Sequence, residues 1–314
     1  MGNKTHWGGA GMSAQSHIAV LMGGWSPERD ISLISGEKCA EALRALGYRV
    51  SEIDVTRQLD AQLAEVKPDI CFNALHGVGG EDGEVQGLLE VLEIPYTHSG
   101  VRASALAMDK HLSKQIFAAA GLPVAQSVLV EGPVEAHPMT PPYVVKPVNQ
   151  GSSVGIDIIA DGSNAVPDSL TRKAWAFEGV AMVEKYIAGQ ELTCAVMGDT
   201  ALDVMEIVPV NGWYDYRAKY DDGGSHHQCP AEIDAALANR IQHISLEAHM
   251  LLGCRGVTRA DFRYDAAQDD LVLLEINTQP GMTPVSLVPE MAAHRGIDFN
   301  HLVQWIVEDA SCRR

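Results

Sequence analysis

The chain has 314 residues, 46% hydrophobic and 20% charged, an ordinary globular composition long enough for two or three domains of roughly 100–150 residues. Its formal net charge of −18 argues against nucleic acid, because neutralising phosphates takes a clustered Lys/Arg surface. The same charge gives no attraction to an anionic membrane surface, so a phosphate-bearing ligand must be held by a few local cations, backbone N–H groups or a bound metal.

Residues 1–16 are Gly-rich and polar, lack the apolar core of a signal peptide and read as a disordered extension, with Met12 a second candidate start. Position 6 is His6 rather than Ser or Thr, so Met1-Gly2 does not support myristoylation. From His17 the pattern changes. The apolar run IAVLM at 18–22, ending in Gly23-Gly24, predicts a buried strand meeting a turn. Ser26, Pro27 and Glu28 then read as an N-cap, a proline at the first helical position and a first-turn acid. They open a helix that runs to about Leu46 and is stopped by Gly47. A strand over 48–53, a helix over 59–66, a strand over 69–75, a helix over 84–92 and a strand over 94–97 follow. This alternation predicts an α/β unit: a parallel sheet with helices on its faces.

Beyond Val101 the spacing predicts one helix over 104–119 carrying Lys110. Strands over 143–146 (YVVK) and 154–159 (VGIDII) then form a hairpin around the small-residue loop 147–153. A helix over 164–176 and a strand over 180–184 complete this stretch. The remainder reads as strands near 191–197 and 202–209, an irregular segment 211–233 and a helix over 234–251. Two strands over 256–263 and 271–277, a Pro/Gly-rich segment 279–284 and a closing helix near 298–309 follow. We divide the chain at these shifts into 1–16, 17–103, 104–184 and 185–314. No apolar run approaches the roughly 20 residues of a membrane span. The six cysteines (39, 71, 194, 229, 254 and 312) show no metal or redox spacing. They read as buried thiols in a reducing cytoplasm.

Three places carry chemistry. Side chains alternate faces along a strand, so Arg259 and Asp261 share one side and Glu275 and Asn277 share a side of the partner strand. If those sides coincide, Asp261, Glu275 and Asn277 present three hard oxygen donors suited to Mg²⁺. A solvated polar face is the alternative, disfavoured because a carboxylate among apolar neighbours needs a partner. Lys146 stands at the mouth of the loop Gln150-Gly151-Ser152-Ser153-Val154-Gly155. There backbone N–H groups can approach an anion and the ammonium adds a point charge; an ordinary hairpin loop is the alternative. No P-loop motif occurs, and the glycines at 77, 79 and 80 lack the full dinucleotide fingerprint. Finally, Glu184-Lys185-Tyr186-Ile187 with Glu191 suits an adenine edge and a ribose, or is simply a strand end at the surface.

Taken together, GGWSPERD at 23–30, LHGVGGEDG at 75–83, MDK at 108–110, KPVNQGSSVG at 146–155, YDYRAKY at 214–220 and EINTQPGMTPVSL at 275–287 resemble the D-alanine–D-alanine ligase family of ATP-grasp enzymes. The likeness covers the chain from residue 17. It implies an ATP-grasp fold, α+β overall, with a Rossmann-like N-terminal segment 17–103, a central ATP-grasp segment 104–184 and a C-terminal segment 185–314 bearing the metal and substrate site. It also implies ATP-dependent joining of two D-alanine molecules through an acyl phosphate, for peptidoglycan synthesis in the cytoplasm, by a homodimer.

Residue by residue, the resemblance implies that Lys110, Lys146 and Ser153 hold ATP phosphates, with Glu184, Tyr186, Ile187 and Glu191 around adenine and ribose. Asp261, Glu275 and Asn277 would hold two Mg²⁺ ions, Mn²⁺ being able to substitute. Arg259 and the N–H of Gly281 would form the oxyanion hole. Glu28, in a network with Ser152 and Tyr220, would meet the first D-alanine near His76, and Lys219 and Ser286 the second. Residues 211–230 would close as a lid with the 148–153 loop. Ligases that use D-lactate or D-serine second would share the ATP half, and Tyr220 in YDYRAKY favours the dipeptide-forming type. A dinucleotide-dependent oxidoreductase would leave Lys146, Asp261, Glu275 and Asn277 without a role.

Overall fold

The computed structural model describes residues 16–151, 155–172, 174, 175, 177, 179–209 and 224–314. Its elements in chain order begin with β1 (His17–Gly23), α1 (Arg29–Ala45), β2 (Arg49–Val55), α2 (Leu59–Val66), β3 (Ile70–Asn73) and α3 (Glu84–Val91). Next come α4 (Val101–Met108), α5 (Lys110–Ala119), β4 (Ser127–Val130), β5 (Tyr143–Pro147) and β6 (Asp157–Ile159). After a 3₁₀ turn at Asp168–Leu170 follow β7 (Ala181–Lys185), β8 (Gln190–Met197), β9 (Thr200–Ala201), β10 (Met205–Pro209) and β11 (Ser225–Gln228). The chain ends with α6 (Ala235–Leu252), β12 (Val257–Asp265), β13 (Asp270–Asn277), α7 (Leu287–His294) and α8 (Phe299–Glu308).

These elements form two compact units. The first comprises Met1–Val101, Cys254–Val257 and Gln279–Arg314. Its sheet has the order β2-β1-β3, and both neighbours run parallel to β1. A central parallel strand is covered on both faces, which is why β1 is apolar from Ile18 to Met22 and buried along its whole length. Tyr96 extends the sheet through single bridges to Cys71 and Ser311, so the strand expected over 94–97 is reduced to one paired residue. Ala19, Leu21, Ile53, Leu63, Leu89 and Tyr96 belong to its core. Helix α1 packs on β1, β2 and α8. The close approach to β1 is made at Gly36, where a Cβ would lie 2.5 Å from that of Met22.

The second unit comprises Arg102–Gly253 and Thr258–Thr278. It holds a four-stranded sheet ordered β4-β7-β5-β6 and a larger one ordered β11-β10-β8-β12-β13, with β9 pairing β8. In the smaller sheet every pairing is antiparallel. Its inner face is built by Tyr143, Val145, Ile159, Ala181 and Val183, residues at alternate positions of their strands.

Four local expectations change. The helix expected over 104–119 is two helices, because the Asp109 carboxylate accepts hydrogen bonds from the N–H groups of His111 and Leu112 and caps α5 afresh. Where a helix was expected over 164–176, the described residues contain only the 3₁₀ turn Asp168–Leu170, just after Pro167. Strand β10 starts at Met205 rather than 202, since Thr200–Ala201 folds back on β8. The segment 211–233, expected to be irregular, contains β11, which pairs antiparallel with β10. Strand β4 and helix α7 were not anticipated. Among the described residues no helix is long and apolar enough to cross a membrane.

Candidate active site

The second unit carries the charged constellation. Strands β12 and β13 pair antiparallel with Arg259 opposite Asn277 and Asp261 opposite Glu275. The two polar sides therefore coincide, as a metal site requires, while Ala260, Phe262 and Ile276 are buried on the other side. The Arg259 guanidinium grips Asp261 with two hydrogen bonds, Nε to Oδ1 at 2.8 Å and Nη2 to Oδ2 at 2.6 Å. The Thr193 hydroxyl on β8, fully buried, donates to Asp261 Oδ1 at 2.7 Å.

Lys110 is the first residue of α5. Its Nζ lies 3.0 Å from Glu275 Oε2 and donates to the Gln150 carbonyl at 2.8 Å. A cation at the positive end of a helix is unfavourable by itself; the carboxylate and carbonyl offset that here. Lys146 and Lys114 both place their ammonium nitrogens 2.9 Å from Glu184 Oε2. All three side chains are buried or nearly so. Burial alone would raise the Glu184 carboxyl, but the Lys146 and Lys114 ammoniums outweigh it and leave Glu184 below its ordinary range. Burial lowers Lys114. Two buried ammoniums share one carboxylate, an excess of positive charge suited to a phosphate.

Beyond Glu184 the chain turns through Tyr186 and the buried Ile187. Glu191 on β8 pairs with Arg263 at 3.3 Å. Ser152, Ser153, Lys219 and Tyr220, and residues 211–223 of the lid expected over 211–230, lie outside the described residues.

The first unit carries a second cluster. Glu28 is the N-cap of α1 rather than a first-turn residue. Ser26 does not cap the helix: its hydroxyl accepts from the Glu28 N–H at 3.1 Å and donates to the His76 carbonyl at 2.6 Å, joining the two loops. Gly77 has φ +73°, and a Cβ there would lie 2.6 Å from Glu28 Oε2. The His76 ring contacts Ser35 Oγ at 3.2 Å, the Gln279 carbonyl at 3.2 Å and Glu81 at 3.4 Å. Burial raises the Glu81 carboxyl, and the Glu28 carboxylate adds to this against the hydrogen bond with His76. Ser286 caps α7 in position, its Oγ accepting from the Thr283 N–H at 3.0 Å, and Gly281 stands beside that hydroxyl.

Within each unit the structure also places Lys114, Thr193, Glu81 and Gln279 against the residues grouped from the sequence, and the sequence reading did not single these four out. Lys114 lies one helical turn after Lys110, and Thr193 two residues after Glu191 on the same strand face, spacings that could have flagged both. Among the described residues no group of three or more His, Cys, Asp and Glu side chains forms a metal cage. The oxygen set is two carboxylates and the Asn277 amide, a donor chemistry that fits Mg²⁺.

A lysine-lined antiparallel sheet with Glu184, joined in one unit to a second antiparallel sheet bearing Asp261, Glu275 and Asn277, is the arrangement of the ATP-grasp class. The relatives narrow it. The sequence matches the family model described as D-ala D-ala ligase C-terminus over residues 116–308 and that described as D-ala D-ala ligase N-terminus over 57–99. It is 58% identical over 308 residues to the D-alanine–D-alanine ligase of Parvibaculum lavamentivorans, covering 96% of this chain and 100% of that protein. The D-alanine–D-alanine ligase of a Chelativorans species is 57% identical, with 96% and 99% covered. The fold matches the crystal structure of D-alanine–D-alanine ligase from Bacillus anthracis complexed with ATP at a TM-score of 0.81 and 32% identity, covering 95% of this chain and 97% of that one. The chain belongs to the D-alanine–D-alanine ligase family.

Proposed function

We propose that this chain joins two D-alanine molecules into D-alanyl-D-alanine with consumption of ATP, in peptidoglycan precursor synthesis. The observation that carries the reading is the β12–β13 register, with Arg259, Asp261, Glu275 and Asn277 on one side and Lys110 on Glu275. Full-length likeness to ligases of that name supports it.

In this reading the first D-alanine's carboxylate attacks the ATP γ-phosphate, giving D-alanyl phosphate and ADP. The second D-alanine's amine then attacks the acyl carbon and phosphate leaves. Charge concentrates on oxygen in both steps, so placed cations and N–H donors do most of the work. Lys110, Lys146 and the Ser153 loop would bind the phosphates, with Glu184, Tyr186, Ile187 and Glu191 around the nucleoside. Arg259 and the Gly281 N–H would stabilise the tetrahedral oxyanion. Glu28, with Ser152 and Tyr220, would hold the first D-alanine's ammonium near His76, and Lys219 with Ser286 the second carboxylate. Asp261, Glu275 and Asn277 would hold two Mg²⁺ ions, or Mn²⁺, which supply charge neutralisation on the transferred phosphoryl group. A cytoplasmic homodimer and the division at 103/104 and 184/185 remain part of the proposal.

Phosphate release by the purified protein tests it. Release should require ATP, Mg²⁺ and D-alanine together and be negligible with L-alanine. Release that ignores omission of D-alanine would overturn the ligase reading. Faster product formation with D-lactate or D-serine as second substrate would replace the dipeptide assignment.

A further inference from the structure

Arg263 follows Arg259 and Asp261 at alternate positions of β12, and the side chain is only 12% exposed. Its Nε donates to the Ile187 carbonyl at 3.1 Å and its Nη2 to the Gly189 carbonyl at 2.9 Å. Its Nη1 lies 3.3 Å from Glu191 Oε2. The guanidinium carbon is also 5.9 Å from the centroid of the Tyr186 ring. One side chain therefore touches four members of the six-residue stretch 186–191.

Backbone geometry makes the same stretch unable to relax elsewhere. Gly189 has φ +87°, and a Cβ there would lie 2.2 Å from the Tyr264 carbonyl oxygen, so the chain passes against β12 at a distance only glycine permits. Ile187 packs with Ala125, Val272 and Leu274. The stretch is held by apolar contact on one side and by the Arg263 fork on the other.

We propose that Arg263 is a positioning residue for the nucleotide, fixing the course of the backbone from Tyr186 to Glu191 without touching ATP itself. This rests on the reading of Tyr186, Ile187 and Glu191 as the adenine and ribose contacts. Three donors in a rigid plane span two carbonyls and a carboxylate; a lysine ammonium, a point charge on a flexible stem, cannot.

The test compares Arg263→Lys and Arg263→Met with the wild-type chain for KM of ATP, KM of D-alanine, kcat and melting temperature. Both variants should raise the ATP KM about tenfold, the scale of losing one or two charge-assisted hydrogen bonds. At saturating ATP their kcat and D-alanine KM should stay within about twofold of wild type. An unchanged ATP KM overturns the proposal, as does a Lys variant that behaves as wild type, because charge alone would then suffice. Parallel loss of kcat and both affinities with a lowered melting temperature also overturns it, since that marks a merely structural arginine. Tyr186→Ala and Glu191→Gln are measured alongside. If neither moves the ATP KM, the nucleotide reading of the stretch fails; if they do and the Arg263 variants do not, only the role of Arg263 fails.

Discussion

Asp261 and Glu275 face each other directly across the β12–β13 ladder, and the register shifts immediately past them, so that Phe262 pairs with Leu273. Leu274 is the extra residue of this bulge. A bulge bends its strand and re-aims neighbouring side chains, which here sets the two carboxylates at the point where the ladder turns. Each carboxylate carries its own cation, Arg259 on Asp261 and Lys110 on Glu275. If the pair holds metal, Asp261→Asn and Glu275→Gln should each raise the Mg²⁺ concentration for half-maximal phosphate release by at least about 10–100-fold, the range found even for groups that only orient a ligand. Manganese titration followed by its paramagnetic resonance should show the same loss without turnover. Unaltered metal dependence in both variants would remove these residues from the ligand set.

Arg259 is held by both oxygens of Asp261, which limits its rotamers and presents it in one orientation. If Arg259 is the oxyanion donor, a guanidinium so fixed would cost little reorganisation during reaction. Arg259→Ala is expected to cut turnover by roughly 10²-fold or more at saturating substrates, with a much smaller change in melting temperature. Steady-state kinetics and a thermal melt on one preparation check both. Turnover within a factor of two or three of wild type would show that the oxyanion is stabilised elsewhere.

Gly77 is placed where no side chain fits. Its φ of +73° is costly for any L-residue, and a Cβ would press on Glu28 Oε2 at 2.6 Å. Gly77→Ala should therefore lower stability by about 1–2 kcal/mol for the left-handed backbone and displace the Glu28 carboxylate as well. The expected signature is a raised KM for D-alanine with an ATP KM near wild type. Gly121, at φ +82° with open space around it, is the control: alanine there should cost stability alone. Equal kinetic effects from the two substitutions would contradict the proposed role of Glu28.

The polar face of this hairpin was legible because strand alternation has a period of two, so Arg259 with Asp261 and Glu275 with Asn277 could be paired by counting. The register between the strands was not, since it depends on the turn after Asp265 and on the bulge at Leu274. Lys146 and Glu184 could be read as strand-end charges, but not that one oxygen of Glu184 serves two ammoniums. Lys114 follows Lys110 by one helical turn, but its burial is visible only in the packing. Residues 104–119 read as one helix because the apolar spacing continues through Asp109, and the break comes from a side-chain cap rather than from glycine or proline. Assigning Glu28 and Arg259, more than 200 positions apart, to one reaction came from motif order, not from spacing.

His98 offers a stability test apart from catalysis. It is fully buried, its ring packs edge-on against Phe72 at 5.9 Å, and burial, with the Arg314 guanidinium adding to it, drives it down to about 3 from an ordinary 6.5. Between those values the unfolded chain binds a proton that the folded one refuses, so stability falls as pH falls. The contribution is intact above pH 6.5 and is lost progressively toward pH 3, at up to about 1.4 kcal/mol per pH unit. Other groups titrate in this range, so the comparison is with His98→Asn, which tolerates the positive φ of 66° at this position. Urea unfolding from pH 7 to pH 4 should show the wild type losing stability faster than the variant as pH falls. Parallel curves would mean that His98 accepts its proton in the folded state.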